Sequence, residues 1–391
     1  MAETAAHLVD NVVPMVPVRQ VVLSLPFKLR YKMAWDHDLT RAVLAVFHRA
    51  VSGFYRARAK EQGIKGAKTG GVTVIQRVGG SLNLNVHFHH AALDGVFTMS
   101  ESGEPRFHKV PSPTQEQIAG LVKTIRKRVI RLLAKRGITI GGEDMEFDEL
   151  ADEYPALAGT YAASVQNLVA LGPRSGRRVM RLWRELDQDP VRYKSRWHAR
   201  LNGFDIHMGV AFEASQRDKL ERLLRYMLRP PVAQSRLREL PDGKISLSLK
   251  TEWMDGTTHV VFEPLELVEK LAAAIARPQV NQIVYHGVLA PHSKWRKAVV
   301  AYGRPSKTSE GGPEENRERP DNYKWAELMR RTFDVDVMRC EKCGGKMELI
   351  SMIEDPDVIH KILAHLNLPT EPPEPSPARA PPGSNQEAFD F

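Results

Sequence analysis

Three side chains set the chemistry this sequence could perform. His87 and His89 lie in Leu82-Asn83-Leu84-Asn85-Val86-His87-Phe88-His89-His90, where apolar and polar residues alternate. Alternation puts Leu82, Leu84, Val86 and Phe88 on one face of a strand and Asn83, Asn85, His87 and His89 on the other. Two imidazoles on one strand face, about 6–7 Å apart, can converge on one divalent cation. A lone histidine is more often a packed residue than a ligand, but a pair on a polar stripe favours metal binding. His90 points to the apolar side and is not expected to be a ligand. The third side chain is Tyr226. In a helix over Ser215 to Leu228, Leu220, Leu223, Leu224, Met227 and Leu228 share a side, and Tyr226 falls off it beside Lys219, Arg222 and Arg229. A tyrosine there could be a packing residue or a platform for a base. Its hydroxyl could also attack a phosphodiester that the neighbouring cations hold.

A divalent site needs a third donor, and two residues compete. A four-residue loop (80–83) would pair Val78 with Asn85 and bring Gln76 opposite His87, whereas a tighter hairpin would leave Gln76 near residue 83 or 84. His207 is the alternative: Phe204, Ile206, Met208, Val210 and Phe212 form an apolar face and leave Asp205 and His207 on the open one. A separate metal pattern is Cys340-Glu341-Lys342-Cys343-Gly344-Gly345, with zinc-knuckle spacing. Adding His360 and His365 gives Cys-x2-Cys-x16-His-x4-His, a longer gap than in the usual finger. Zinc at Cys340 and Cys343 therefore competes with two reduced thiols at a turn. Trp325, Arg330 and Arg331 could help this C-terminal unit touch DNA.

The elements that must position these groups can be read from periodicity and punctuation. Val16 to Pro26 reads as a strand and Asp38 to Ala59 as an amphipathic helix. Val72 to Val78 and Leu82 to Leu93 read as strands joined at Gly79-Gly80-Ser81. Thr114 and Gln117 make a capping box for a helix that ends at Gly137 and carries a basic outer face. An acidic surface stretch follows at 141–153, then a helical, basic region to about Arg200. Phe204 to Phe212 is a strand; Pro230-Pro231 ends the tyrosine helix; Lys244 to Lys250 and Thr257 to Phe262 form a hairpin about Asp255-Gly256. The predicted organisation is a catalytic domain over 1–302 with a helical insertion at about 112–200. A Pro-, Gly- and charge-rich linker follows at 303–322, then a small unit at 323–368 and a Pro-rich disordered tail at 369–391.

Composition bounds the rest. The 391 residues are 42% hydrophobic and 26% charged, which excludes a disordered or fibrous chain and allows a sizeable core. Two cysteines, at a C-x-x-C spacing, exclude a disulfide framework and favour a reducing compartment. A net charge of +9 favours a polyanionic partner. No run approaches the roughly twenty apolar residues of a membrane span, and the first ten residues are too polar for a signal peptide.

His-hydrophobic-His on a strand, with a helical tyrosine more than a hundred residues later, resembles the HUH single-strand endonucleases. More closely, GGVTVIQRVGGSLNLNVHFHHAALDGVF, LLRYMLRPPVAQSRL and YHGVLAPHSKWRKAVV resemble the rolling-circle transposases of the IS-ninety-one type, over residues from about 15 to 368. The resemblance implies an α+β fold: a central antiparallel sheet with flanking helices, of the HUH or Rep-like nuclease kind, plus a small zinc-ribbon-like unit. It implies Mg²⁺ or Mn²⁺ held by His87, His89 and Gln76 (or His207), and Tyr226 as nucleophile. The partner would be single-stranded DNA at transposon ends, with no membrane, a bacterial cytoplasmic, nucleoid-associated location, and a homodimer as one arrangement. Positions four residues either side of Tyr226 are Arg222 and Pro230, so the likeness is to single-tyrosine members. Many members begin with a cysteine-rich zinc module, and this chain is expected to be a copy that starts downstream of it. A replication initiator or relaxase, or an inactive DNA-binding remnant, are the competing readings.

Overall fold

The computed structural model describes the chain except residues 139–148, 184–194, 251, 254, 277, 279, 305–323, 349–350, 352 and 372–391. The linker, most of the acidic stretch, part of the basic region before Arg200 and most of the tail therefore lie outside the described residues. α1 (Ala2–His7) runs into a π-helical turn (Leu8–Val12), followed by β1 (Val18–Ser24), α2 (Phe27–Trp35) and α3 (His37–Glu61). Two hairpins come next: β2 (Gly70–Val78) with β3 (Leu84–Leu93), and β4 (Gly95–Met99) with β5 (Pro105–Lys109). α4 (Gln115–Lys135), α5 (Glu149–Glu153), α6 (Pro155–Val165), β6 (Met180–Trp183), β7 (His198–Leu201), β8 (Phe204–His207) and β9 (Ala211–Phe212) lead to α7 (Arg217–Leu228). The chain continues through β10 (Leu237–Glu239), β11 (Ile245–Ser248), β12 (Thr257–Phe262), α8 (Pro264–Ala274), β13 (Ile283–Gly287), α9 (Arg296–Ala301), α10 (Trp325–Phe333) and α11 (Pro356–His365).

The protein is α+β, with a central antiparallel sheet flanked by helices. Among the described residues that sheet has seven strands in the order β13-β2-β3-β1-β8-β7, with β9 also on β1. A smaller sheet, β10-β11-β12-β6, stands beside it. β3 is central and buried along its whole length, as a strand covered on both faces must be. Phe88, Val86 and Leu84 face a core built with Leu39, Val43, Phe47, Ile118 and Ile125 of α3 and α4. The other face packs Val72, Val74 and Ala91 against Leu220, Leu223, Leu224 and Met227 of α7. Each of those α7 side chains is worth about 1.5–3 kcal/mol on burial.

Local signals explain the helices. Asp36 caps α3 by accepting from the Leu39 amide at 2.8 Å. The capping box of α4 forms as expected, and Gly137 follows with φ of 69°. Several expectations need correction. Leu82 does not continue the core face of β3; it turns with a φ of 60° and is buried with Val169, Val179 and Leu247 beside the small sheet. Residues 204–212 form two strands, Phe204–His207 and Ala211–Phe212, with Gly209 in the break between them, where a Cβ would stand 2.7 Å from the His207 ring. The helical reading toward Arg200 holds only to Val165. Asn167, Gly172 and Gly176 then take positive φ and turn the chain into β6.

Under α3, on the sheet face opposite His87 and His89, His48 and His286 stack with centroids 4.3 Å apart and planes at 18°. Burial pulls His48 down to about 4 and His286 down to about 3, against about 6.5 in an unfolded chain. Below pH 6.5 the unfolded state thus binds more protons than the folded one, so their contribution is complete above 6.5 and is lost as pH falls toward 3. The urea midpoint should drop between pH 7.5 and pH 4.5. A midpoint that stays level across that range would contradict this account.

Candidate functional site

β2 and β3 pair so that Gln76 stands directly opposite His87, and Val74 opposite His89. The register reaches this point by another route than a plain four-residue loop: a bulge between Gln76 and Val78 pairs Val78 with Leu84. Gln76, His87 and His89 therefore share one sheet face, and α7 lies over that face through its leucines. The end of α7 is tied down at the same place, because Gln76 Nε2 donates to the Met227 carbonyl at 2.7 Å. Tyr226, one residue earlier and half-buried, sits edge-on to His89 with ring centroids 6.2 Å apart. His87 and His89 are themselves 4.9 Å apart between centroids. One cavity of about 460 Å³ is lined by Gln76, His87, His89 and Tyr226, together with Arg229, Lys250 and Trp253.

Hydrogen bonds orient the imidazoles. The His87 Nδ1–H donates to the Asn85 carbonyl at 2.6 Å, so Nε2 is the nitrogen that carries the lone pair, as a metal-binding histidine requires. His89 Nδ1 lies 2.9 Å from Gln20 Nε2, with both residues buried. A half-turn of the Gln20 amide presents its oxygen instead; Nδ1–H then donates, and Nε2 holds the lone pair. Burial pushes His87 down to about 4, against the opposing pull of the Asn85 carbonyl. It pushes His89 well down too, with His87 and Arg229 adding to the shift. Both rings are neutral near pH 7, the state in which nitrogen can ligate a cation without first losing a proton.

Asn85 shares this face. It is fully buried, and neither its side-chain oxygen nor its nitrogen has a partner among the described residues. A buried carboxamide without partners marks a place where a ligand or its water would be held. Among the described residues no third His, Cys, Asp or Glu side chain joins His87 and His89. The third polar donor within reach is the carboxamide of Gln76. His207 is also on this face, since it and His89 both pair with Val22. It stands two strands from His89, about 9–10 Å across the sheet, and next to the hydrogen bond between His198 Nε2 and Asp205 Oδ1 at 2.8 Å. The donor set of His87, His89 and Gln76 fits a small divalent ion.

The phenol is surrounded by cations, though not all those expected. The Arg229 guanidinium lies 4.0 Å from the centre of the Tyr226 ring and Lys250 Nζ 5.3 Å. Arg236 is close enough that Arg229 and burial, burial first, pull it down to about 10. Lys219 and Arg222 are exposed one or two turns earlier, do not line this cavity, and Arg222 is 4.0 Å from Asp218. Lys250 and Arg236 escaped sequence reasoning because they arrive from the small sheet and the turn before it. Only tertiary packing brings them to α7.

The C-terminal unit touches the same helix from behind. Arg331 of α10 donates to both oxygens of Asp10, at 2.6 and 3.2 Å, and to Glu221 of α7 at 2.6 Å. Arg331 is thus engaged inside the chain rather than presented to DNA. Cys340 and Cys343 stand at a tight turn, with the Gly344 amide donating to the Cys340 carbonyl at 2.8 Å. Amides of Cys343 and Lys342 pull the Cys340 thiol down, the environment a thiolate ligand needs.

A family model described as "Putative transposase" matches residues 70–297, more than half of the chain. The chain is also similar to a protein named DNA ligase from Methanosphaerula palustris, at 24% identity over 194 residues, which is 49% of this chain. It spans about a third of that protein's length, 34%. No solved structure matches the chain. Among the described residues no helix is long and apolar enough to cross a membrane.

Proposed function

This chain belongs to the transposase family that matches it over residues 70–297, and from that premise we propose that it nicks and rejoins single-stranded DNA through Tyr226. It acts at transposon ends as a rolling-circle transposase of the HUH class. The observation that supports this most is that the Tyr226 phenol opens into the same cavity as His87, His89 and Gln76. A phenol that merely filled the core would not sit beside two buried neutral imidazoles and under two cations.

The residues divide the work. Arg229 and Lys250 hold the scissile phosphate beside the Tyr226 hydroxyl and offset the charge that builds on it. The phenolic oxygen attacks phosphorus in line; the O–P bond to tyrosine forms, the bond to the 3′ oxygen breaks, and the proton lost by the phenol is balanced by one gained at the 3′-hydroxyl. His87, His89 and Gln76 would hold a Mg²⁺ or Mn²⁺ ion that supplies Lewis-acid polarisation of the phosphate. Gln20 and Asn85 fix the imidazoles. Trp253, in the cavity wall, offers a base a stacking surface. Rejoining reverses the step with a new 3′-hydroxyl, so the bond energy is kept without ATP.

The remaining organisation follows this reading: a catalytic domain over 1–302, a linker, a zinc-binding unit at 323–368 using Cys340 and Cys343, and a bacterial nucleoid location. A homodimer would supply a second tyrosine, since one phenol holds one 5′ end. The likeness to the protein named DNA ligase covers too little of that protein to carry an activity. The deciding experiment incubates the chain with labelled single strands from the element's ends and Mn²⁺, then seeks a covalent adduct on a denaturing gel. No adduct with any end sequence would favour a DNA-binding remnant. In the same assay Arg229→Ala with Lys250→Ala should slow adduct formation by about 10²-fold. An unchanged rate would remove both cations from the mechanism.

A further inference from the structure

A second cavity, of about 530 Å³, lies on the α3 side of the sheet along β13, the sheet's edge strand. Its wall includes the stacked rings of His48 and His286, and Arg41 and Arg49 of α3 line it from the exposed side. His286 is only 9% exposed, yet among the described residues its Nε2 has no hydrogen-bond partner, and His48 Nδ1 has none either. Leaving such a group unsatisfied costs about 1–3 kcal/mol, a cost the fold bears beside this cavity. The rings lie face to face, which suits stacking rather than chelation of a cation. Asn281 and Tyr285 add further polar groups. Arg41 has Asp38 at 4.0 Å, an exposed contact that leaves most of the guanidinium's donors for another acceptor. The size falls within the range of small-molecule pockets.

This cavity adjoins the one below Tyr226 at the sheet's edge, where Ile75 of β2 and Ile283 of β13 belong to the walls of both. We propose that it is a second nucleotide subsite, which takes one unit of the same single strand after it passes round the edge at β13. The base stacks against the His48–His286 pair, and Arg41 and Arg49 take the flanking phosphates. Neutral imidazoles suit this task, since they offer a flat face without a fixed charge. The inference rests on the reading that single-stranded DNA is the substrate, and a free mononucleotide has the same chemistry.

Binding by the full chain in EDTA tests it apart from the tyrosine chemistry, since no cleavage is needed for a signal. Single strands of about twenty and about six nucleotides are compared by fluorescence anisotropy, the shorter one long enough only for the first cavity. Arg41→Ala with Arg49→Ala should weaken the longer strand about tenfold and lower its salt slope by about 1.4, the value for two single-strand phosphate contacts. The shorter strand should bind as before. A long strand carrying 5-iodo-deoxyuridine should crosslink under ultraviolet light to the peptide that holds Tyr285 and His286. Equal binding of the long strand by the variant, with no crosslink in that peptide, would overturn the proposal. So would deoxythymidine monophosphate that occupies the cavity and leaves long-strand binding unchanged, which would assign the cavity to a free nucleotide. If these results hold while no adduct forms at Tyr226, the subsite stands and the nicking chemistry falls.

Discussion

Tyr226→Phe should eliminate covalent capture of DNA, with cleavage down by at least about 10³-fold, while affinity for the same strand changes by less than about threefold. The exchange removes one oxygen and keeps the ring, so the contact with Arg229 at 4.0 Å and the packing of α7 persist. That separates two roles for an aromatic residue beside a nucleic acid. A platform for a base loses little on this substitution, because the π face is intact; a nucleophile loses everything. Denaturing gels measure the adduct and anisotropy measures the affinity. An adduct of undiminished yield in the variant would mean that another residue attacks.

His87→Ala combined with His89→Ala should reduce cleavage by about 10³-fold or more, and chelation of divalent ions should do the same to the unaltered chain. Affinity should survive better, because the proposed phosphate contacts are Arg229 and Lys250 rather than the imidazoles. Both imidazoles are buried and neutral, so their removal opens space without leaving an unpaired charge. Circular dichroism and the unfolding midpoint serve as controls: a double variant that binds DNA, keeps its midpoint and fails to cleave would assign the pair to chemistry. Parallel loss of affinity, fold and cleavage would make the pair part of the core instead. The single change His89→Ala should also release Gln20, whose amide has its buried contact with that ring at 2.9 Å.

Much of the fold was legible because it rests on local signals. The period-two stripe from Leu84 to His89, the Thr114–Gln117 box and the leucines of α7 each report a short-range arrangement, and the structure has all three. The stretches that misled are those where short-range signals conflict with distant packing. Leu82 fits the stripe by type, but the turn needs it at a positive φ and a different core claims it. Residues 166–183 carry breakers enough to end a helix (Asn167, Gly172, Pro173, Gly176), but no local pattern betrays a strand that pairs with β12, nearly eighty residues ahead. The site divides the same way. His87, His89 and Tyr226 could be singled out from their own neighbours, and Gln76 from the hairpin. Lys250, Arg236 and Trp253 could not, since no pattern within the small sheet refers to α7. Lys219 and Arg222 illustrate the converse: helical proximity to Tyr226 in the sequence does not place a side chain in the cavity, because Arg222 is a full turn earlier and faces Asp218.

The bond from Gln76 to the Met227 carbonyl explains a choice of residue type. A glutamate at 76 would be the stronger cation ligand, but its carboxylate has no hydrogen to give and would repel the carbonyl it now holds. A carboxamide has two unlike ends: one can grip the backbone next to the phenol while the oxygen stays available to an ion. Grip and ligation are then compatible in a single side chain, and the distance between tyrosine and imidazoles is set by one rigid amide only a few atoms long. With α7 moored at that point and at Glu221 by Arg331, the helix is a fixed post, and on the proposed chemistry the nucleic acid would have to travel to it.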